Sequence, residues 1–140
     1  MLMKKINIIL VEDNPKDAQI FLRIFKKEGL ADSVIWLKDG EEVVKRLIVE
    51  EEWLPKVILL DIKLPKLTGF EVLSKIRKHP KINKTPVVMF SSSDEVIDIQ
   101  KAYRKGANAY SIKPQNYQET KVVIKNIVNF WVKNNKITYE

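Results

Sequence analysis

The sequence predicts an α/β domain: a doubly wound parallel sheet of five strands with helices on both faces. Two observations carry that prediction. Five short apolar runs, rich in Val, Ile and Leu, alternate along the chain with segments whose apolar residues recur at helical spacing. Strands buried on both faces read as continuous aliphatic runs, and regular alternation with helices is the pattern of parallel crossovers. The second observation is chemical. Ile8, Ile9, Leu10 and Val11 run into Glu12 and Asp13; Val57, Ile58, Leu59 and Leu60 run into Asp61; Ala109, Tyr110, Ser111 and Ile112 run into Lys113 and Pro114. In open α/β sheets the functional crevice lies outside the carboxyl ends of the strands. Carboxylates and an ammonium far apart in sequence are therefore expected at one rim. Close carboxylates repel, so such a cluster needs a divalent cation or the lysine to neutralise it.

The elements follow in order. Residues 6–11 form the first strand. Asn14 and Pro15 supply an N-cap and a proline suited to the first helical position, and Ala18, Phe21, Leu22 and Phe25 mark one helical face until Gly29 ends it. Residues 33–37 read as a strand and Asp39-Gly40 as a turn. Residues 41–50 read as a short helix with Val43, Val44, Leu47 and Ile48 on one side. Pro55 bounds the strand 57–60. A loop containing Pro65 and Gly69 leads into a helix through Phe70, Leu73 and Ile76. Thr85-Pro86 opens the strand 87–90, residues 91–94 form a loop and N-cap, and a polar helix covers 95–105. Residues 109–112 are the fifth strand and 117–132 the last helix.

Composition fits one compact domain. The chain has 140 residues, 45% of them hydrophobic, which suffices for a real core and leaves no room for a second domain of normal size. It contains no cysteine, which removes disulfides and thiolate chemistry from consideration. Met1 to Lys5 followed by apolar residues imitates a signal peptide briefly, but Asn7 breaks the stretch and Glu12 ends it. No segment approaches the roughly 20 apolar residues that span a bilayer, and a cytoplasmic location is expected. The formal net charge is +7. The basic residues are scattered over most helices without an arginine-rich run, a helix-turn-helix or zinc-ligand spacing, so no nucleic-acid partner is expected.

These motifs resemble the receiver domain, the phosphoacceptor module of two-component response regulators. Glu12-Asp13 matches the family's acidic pair, Asp61 its phosphoacceptor, Pro65 and Gly69 the loop that follows, Ser91 the hydroxyl position ending the fourth strand, Tyr110 the switch aromatic, and Lys113-Pro114 the lysine and its proline. The resemblance implies a flavodoxin-like fold with strand order 2-1-3-4-5, a receiver over residues 1–133, and a tail over 134–140 with no output domain. It implies a signalling protein rather than an enzyme: Asp61 would accept a phosphoryl group from the phosphohistidine of a sensor histidine kinase. Mg²⁺ would be held directly by Asp13 and Asp61, through water by Glu12, and by the backbone carbonyl of Lys63. Lys113 would pair with a phosphoryl oxygen; Ser91 and Tyr110 would relay the change to a downstream protein or phosphotransfer partner. The Lys113–Pro114 bond would be cis. Ser91-Ser92-Ser93 and Asn129-Phe130-Trp131 further resemble the single-domain regulators that accompany bacterial phytochromes.

Competing chemistries fit less well. A phosphatase with an aspartate nucleophile commonly places a second aspartate two residues on, where this chain has Lys63. A flavodoxin would need backbone amides and hydroxyls where this chain offers Glu12 and Asp13. His79, the single histidine, reads as a solvated residue at a helix end, and Trp36, Trp53 and Trp131 as core or edge packing. In the last helix Val123, Ile124, Ile127, Val128, Phe130, Trp131 and Val132 span an arc of roughly 200°, wider than the approximately 100° one core face requires. Phe130, Val132 or part of Trp131 should therefore be exposed, and a homodimer through this helix is expected. The alternative is that the tail covers the patch with Ile137 and Tyr139.

Overall fold

The computed structural model describes residues 5–140; residues 1–4, the start of the stretch compared above with a signal peptide, lie outside the described residues. The five strands are β1 (Ile8–Val11), β2 (Val34–Leu37), β3 (Val57–Leu60), β4 (Val87–Ser91) and β5 (Ala109–Ile112). All pair in parallel in the order β2-β1-β3-β4-β5, the flavodoxin-like order. Strand periodicity sorts the core into two layers. Ile9, Val11, Ile58, Leu60, Val87 and Met89 face one way, and Ile8, Leu10, Val57, Leu59, Val88 and Phe90 the other.

The helices cover these two faces. On one side lie α1 (Pro15–Lys27), with Phe21, Ile24 and Phe25, and α5 (Tyr117–Ile127), with Ile124 and Ile127. On the other lie α2 (Gly40–Val43), α3 (Gly69–Lys78) and α4 (Val96–Arg104), which contribute Val43, Val72, Leu73, Ile76 and Ala102. Asn14 caps α1 by accepting from the amides of Lys16 and Asp17, and Gly29 follows with φ 79°, which only glycine adopts cheaply. Thr68 and Glu71 form a reciprocal capping box on α3. No helix among the described residues is long and apolar enough to cross a membrane.

Several expectations change in detail. The second helix turns α-helical only over Gly40–Val43 and widens into a π-helix over Val44–Val49; the last does the same over Val128–Asn134. Asp94 does not cap α4: Glu95 stands at the cap position without a side-chain bond, while the Ser93 hydroxyl accepts from its amide. His79 is not solvated. Its Nδ1 accepts from the Lys81 amide, which leaves Nε2 to donate to the Ile48 carbonyl at 3.1 Å. The Lys113–Pro114 bond is trans, the form an X–Pro bond ordinarily favours by about 0.5–1 kcal/mol. Val132 is buried, whereas Phe130 is 50% exposed with its ring edge-to-face on Trp131 at 4.8 Å. The tail does fold back, but away from that patch: Tyr139 packs against the α2–α3 side of the core and its hydroxyl bonds Thr85 and the Pro55 carbonyl.

Candidate phosphoacceptor site

Parallel pairing brings the ends of β1, β3 and β5 to one rim, and with them every charged residue the motifs singled out. Asp61 directly follows β3 and is buried; its amide donates to the Val11 carbonyl, which stitches it to the end of β1. Glu12 follows β1 and is only 1% exposed. Its backbone is fixed from the sheet edge, because the Trp36 indole N–H donates to the Glu12 carbonyl at 2.7 Å. Its side chain is fixed from the other direction: Oε2 accepts the Asn14 amide at 3.1 Å, and Oε1 lies 2.5 Å from Lys113 Nζ. The sequence alone marks Trp36 as packing and Asn14 as a cap, and Asn14 does cap α1 besides holding Glu12. A tryptophan near the end of a predicted edge strand was the available signal, but the atom it reaches is set by strand pairing.

Lys113 closes the cluster. Its Nζ donates to Asp61 Oδ2 at 2.7 Å and lies 4.0 Å from Asp17 Oδ2. Burial works against the ammonium, but the Asp61 and Glu12 carboxylates outweigh it and hold the Lys113 pKa above the ordinary lysine range. For Glu12 burial is the largest influence and raises its pKa; the Lys113 hydrogen bond opposes that rise without cancelling it. Asp13, by contrast, is exposed and has no ion-pair partner among the described residues.

The donor set suits a divalent cation. Carboxylate oxygens of Glu12, Asp13 and Asp61 lie within 4.8 Å of one another. With three carboxylates against one ammonium, the site carries a formal charge of about −2, which a hard dication with oxygen ligands offsets. Lys63 brings its main chain to the same place, its amide donating to Asp61 Oδ1 at 3.4 Å. Gly69 sets the distance between α3 and the site: a Cβ there would stand 2.1 Å from the Asp61 carbonyl oxygen, so only glycine permits this approach.

The two remaining motif residues form a chain leading away from the cluster. Ser91 is buried at the end of β4, and its Oγ accepts the Ser93 amide at 3.3 Å. The Tyr110 hydroxyl donates to the Ser93 carbonyl at 2.8 Å, tying β5 to the loop that precedes α4. Ser93 Oγ donates in turn to Asp98 Oδ2 at 2.6 Å, inside α4. The loop after β4 is thus held by Ser91, Tyr110 and the first turn of α4 together.

Comparison with known proteins matches this arrangement. The family described as response regulator receiver domain matches residues 8–125. The probable methanogenesis regulatory protein FilR2 of Methanothrix harundinacea is 35% identical over 128 residues, covering 89% of this chain and 83% of that protein. Response regulator Rcp1 of Synechocystis is 31% identical over 129 residues, covering 89% and 88%. Among solved structures, the Mn²⁺-bound form of Rcp1 superposes with a TM-score of 0.85 at 30% identity, over 94% of this chain and 97% of that one. The phosphorylated cyanobacterial phytochrome response regulator RcpA gives 0.85 at 31% identity over the same shares. The resemblance to phytochrome-associated regulators is therefore borne out alongside the broader one. With its sheet order, its rim of carboxylates and lysine and this span of similarity, the chain belongs to the response regulator receiver domain family.

Proposed function

We propose that this receiver accepts a phosphoryl group from a histidine kinase phosphohistidine onto Asp61, with Mg²⁺ held by Asp13, Asp61, the Lys63 carbonyl and, through water, Glu12. One observation carries the reading: a buried carboxylate bonded at 2.7 Å by a partly buried ammonium, with two further carboxylates beside it. Phosphoryl transfer asks little of a protein beyond positioning and charge stabilisation. An Asp61 oxygen forms the new O–P bond while the N–P bond of the donor breaks, its electron pair returning to the imidazole. The bound dication would offset charge on the transferring oxygens. Lys113, already at the acceptor, is placed to pair with one of them. The Mn²⁺-bound structure of Rcp1 and the phosphorylated structure of RcpA support the two halves of this reading.

Asp61→Asn is expected to abolish stoichiometric labelling by a small phosphodonor in Mg²⁺ while leaving the circular dichroism spectrum unchanged, because the change is nearly isosteric and relieves carboxylate repulsion. Labelling of the variant at the parent level would remove Asp61 from the role.

Output is read as passing from Ser91 and Tyr110 into the loop before α4 and on to a downstream protein or phosphotransfer partner in the cytoplasm, with the receiver spanning 1–133 and 134–140 acting as its tail. A homodimer through the carboxyl-terminal helix accompanies this reading. Val122 and Phe130 stand 60% and 50% exposed on that helix, and the tail packs elsewhere. Sedimentation at micromolar concentration should show a dimer that Phe130→Glu dissociates. A monomer both with and without beryllofluoride would sink the dimer.

A further inference from the structure

We infer that the cleft between α3 and α4 is a docking groove for an acidic peptide segment of a partner protein. The inference stands apart from the phosphoacceptor chemistry and uses none of its residues. Lys75 and Lys78 from α3, with Lys101 from α4 and Lys105 at its C-cap, line one cleft of about 530 Å³ that Thr68 and Ser74 also line. Pairs spaced three or four apart stand on one helix face, so each helix presents a short row of ammoniums to the cleft. None of the four makes an ion pair among the described residues. Elsewhere the surface lysines Lys66 and Lys81 do find carboxylates. The single carboxylate lining the cleft, Glu71, makes no ion pair with the four cleft lysines; its Oε1 takes the amide and the hydroxyl of Thr68 in the α3 capping box. Four ammoniums thus gather against a single carboxylate, and a complementary partner offsets the excess positive charge.

The shape selects among anions. The 10 residues of α3 span about 15 Å, and its lining residues run from the cap at Thr68 to Lys78, so the four lysines are spread beyond the reach of one phosphate or carboxylate. Single-stranded nucleic acid calls for exposed aromatic faces, yet the cleft's aromatic, Phe70, is buried and capped by Lys101 Nζ at 4.6 Å. No arginine lines the cleft for bidentate phosphate contacts. At its α4 end the row continues into Ile97, one turn before Lys101 and 69% exposed. A segment with carboxylates at helical spacing and one apolar side chain near its end complements this set.

The full chain should bind a fluorescein-labelled dodecapeptide of Glu with interspersed Leu in an anisotropy titration, more weakly as salt is raised. Lys75→Glu/Lys101→Glu should weaken binding by more than about tenfold and the neutral Lys78→Gln/Lys105→Gln by about threefold or more. Lys26→Glu/Lys125→Glu, which changes net charge equally on exposed positions of α1 and α5, should weaken it by less than about threefold. Any of three results overturns the inference. They are no binding by the parent, equal losses in the two charge-reversal variants, or a labelled DNA duplex that binds at least as tightly and is lost with the same lysines.

Discussion

At the scale of single residues, the site is organised by what Glu12 and Asp13 do differently. Adjacent in sequence, they part at the end of β1: Glu12 turns inward to Lys113 and the Asn14 amide, while Asp13 stays in solvent. One therefore fixes the lysine and the other remains available to a cation. On the proposed phosphorylation of Asp61, two further positions should bear on its lifetime. Lys63 and Ser93 lie two residues beyond Asp61 and Ser91, flanking positions for an attacking water in receivers, and neither carries a carboxylate or amide that would orient that water. The Ser93 hydroxyl is moreover engaged with Asp98 and the Glu95 amide. Slow self-dephosphorylation follows as the expected behaviour. Ser93→Glu and Lys63→Asn should each shorten the half-life of the phosphorylated protein, followed by phosphate release. Decay of both variants at the parent rate would show that other features set the timer.

At the scale of elements, α3 shows how local rules and tertiary contact combine. Its start was legible as a loop with Pro65 and Gly69 before an apolar helical face, and the capping box of Thr68 and Glu71 completes it. What the sequence could not say is why position 69 is glycine. The answer is a through-space approach to the Asp61 carbonyl. Gly69→Ala must push α3 off the end of β3, at a cost of about 1–3 kcal/mol or more. It should also slow phosphodonor labelling, because the carbonyl it strikes belongs to Asp61, the proposed acceptor. A variant that melts and labels like the parent would show that the approach can relax freely. The second and last helices depart from the sequence pattern in type rather than in extent. The apolar spacing of 41–50 and 117–132 was read correctly as helical, but periodicity does not separate an α-turn from the wider π-turn that packing selects at Val44–Val49 and Val128–Asn134.

At the scale of the whole molecule, charge is distributed unevenly. A chain of net charge +7 keeps an acidic pocket at one rim and an unpaired row of lysines between α3 and α4. On the proposed Mg²⁺ binding at the acidic rim, native stability should depend on the cation. A ligand that binds only the native state stabilises by RT ln(1 + [L]/Kd), about 1.4 kcal/mol at ten times Kd. Mg²⁺ should therefore raise the thermal midpoint of the parent, and a chelator should reverse the rise. Asp13→Asn should blunt it, since the free carboxylate of the cluster is lost. An Mg²⁺ response identical in that variant would count against Asp13 as a ligand.

The sequence by itself determined the alternation of strands and helices, the two-sided burial of the sheet, and the convergence of Glu12, Asp13, Asp61 and Lys113. Each of these rests on periodicity or on position relative to a strand end, which are local properties of the chain. Only the tertiary structure decided that Trp36 and Asn14 hold Glu12, that Tyr110 reaches the Ser93 carbonyl, that His79 bonds the Ile48 carbonyl, and that Tyr139 anchors the tail on Thr85 rather than over Phe130. These contacts join residues distant in sequence through a single donor or acceptor. Spacing rules describe which face a residue occupies; which atom waits opposite it depends on strand register and helix placement, and those exist only once the core has packed.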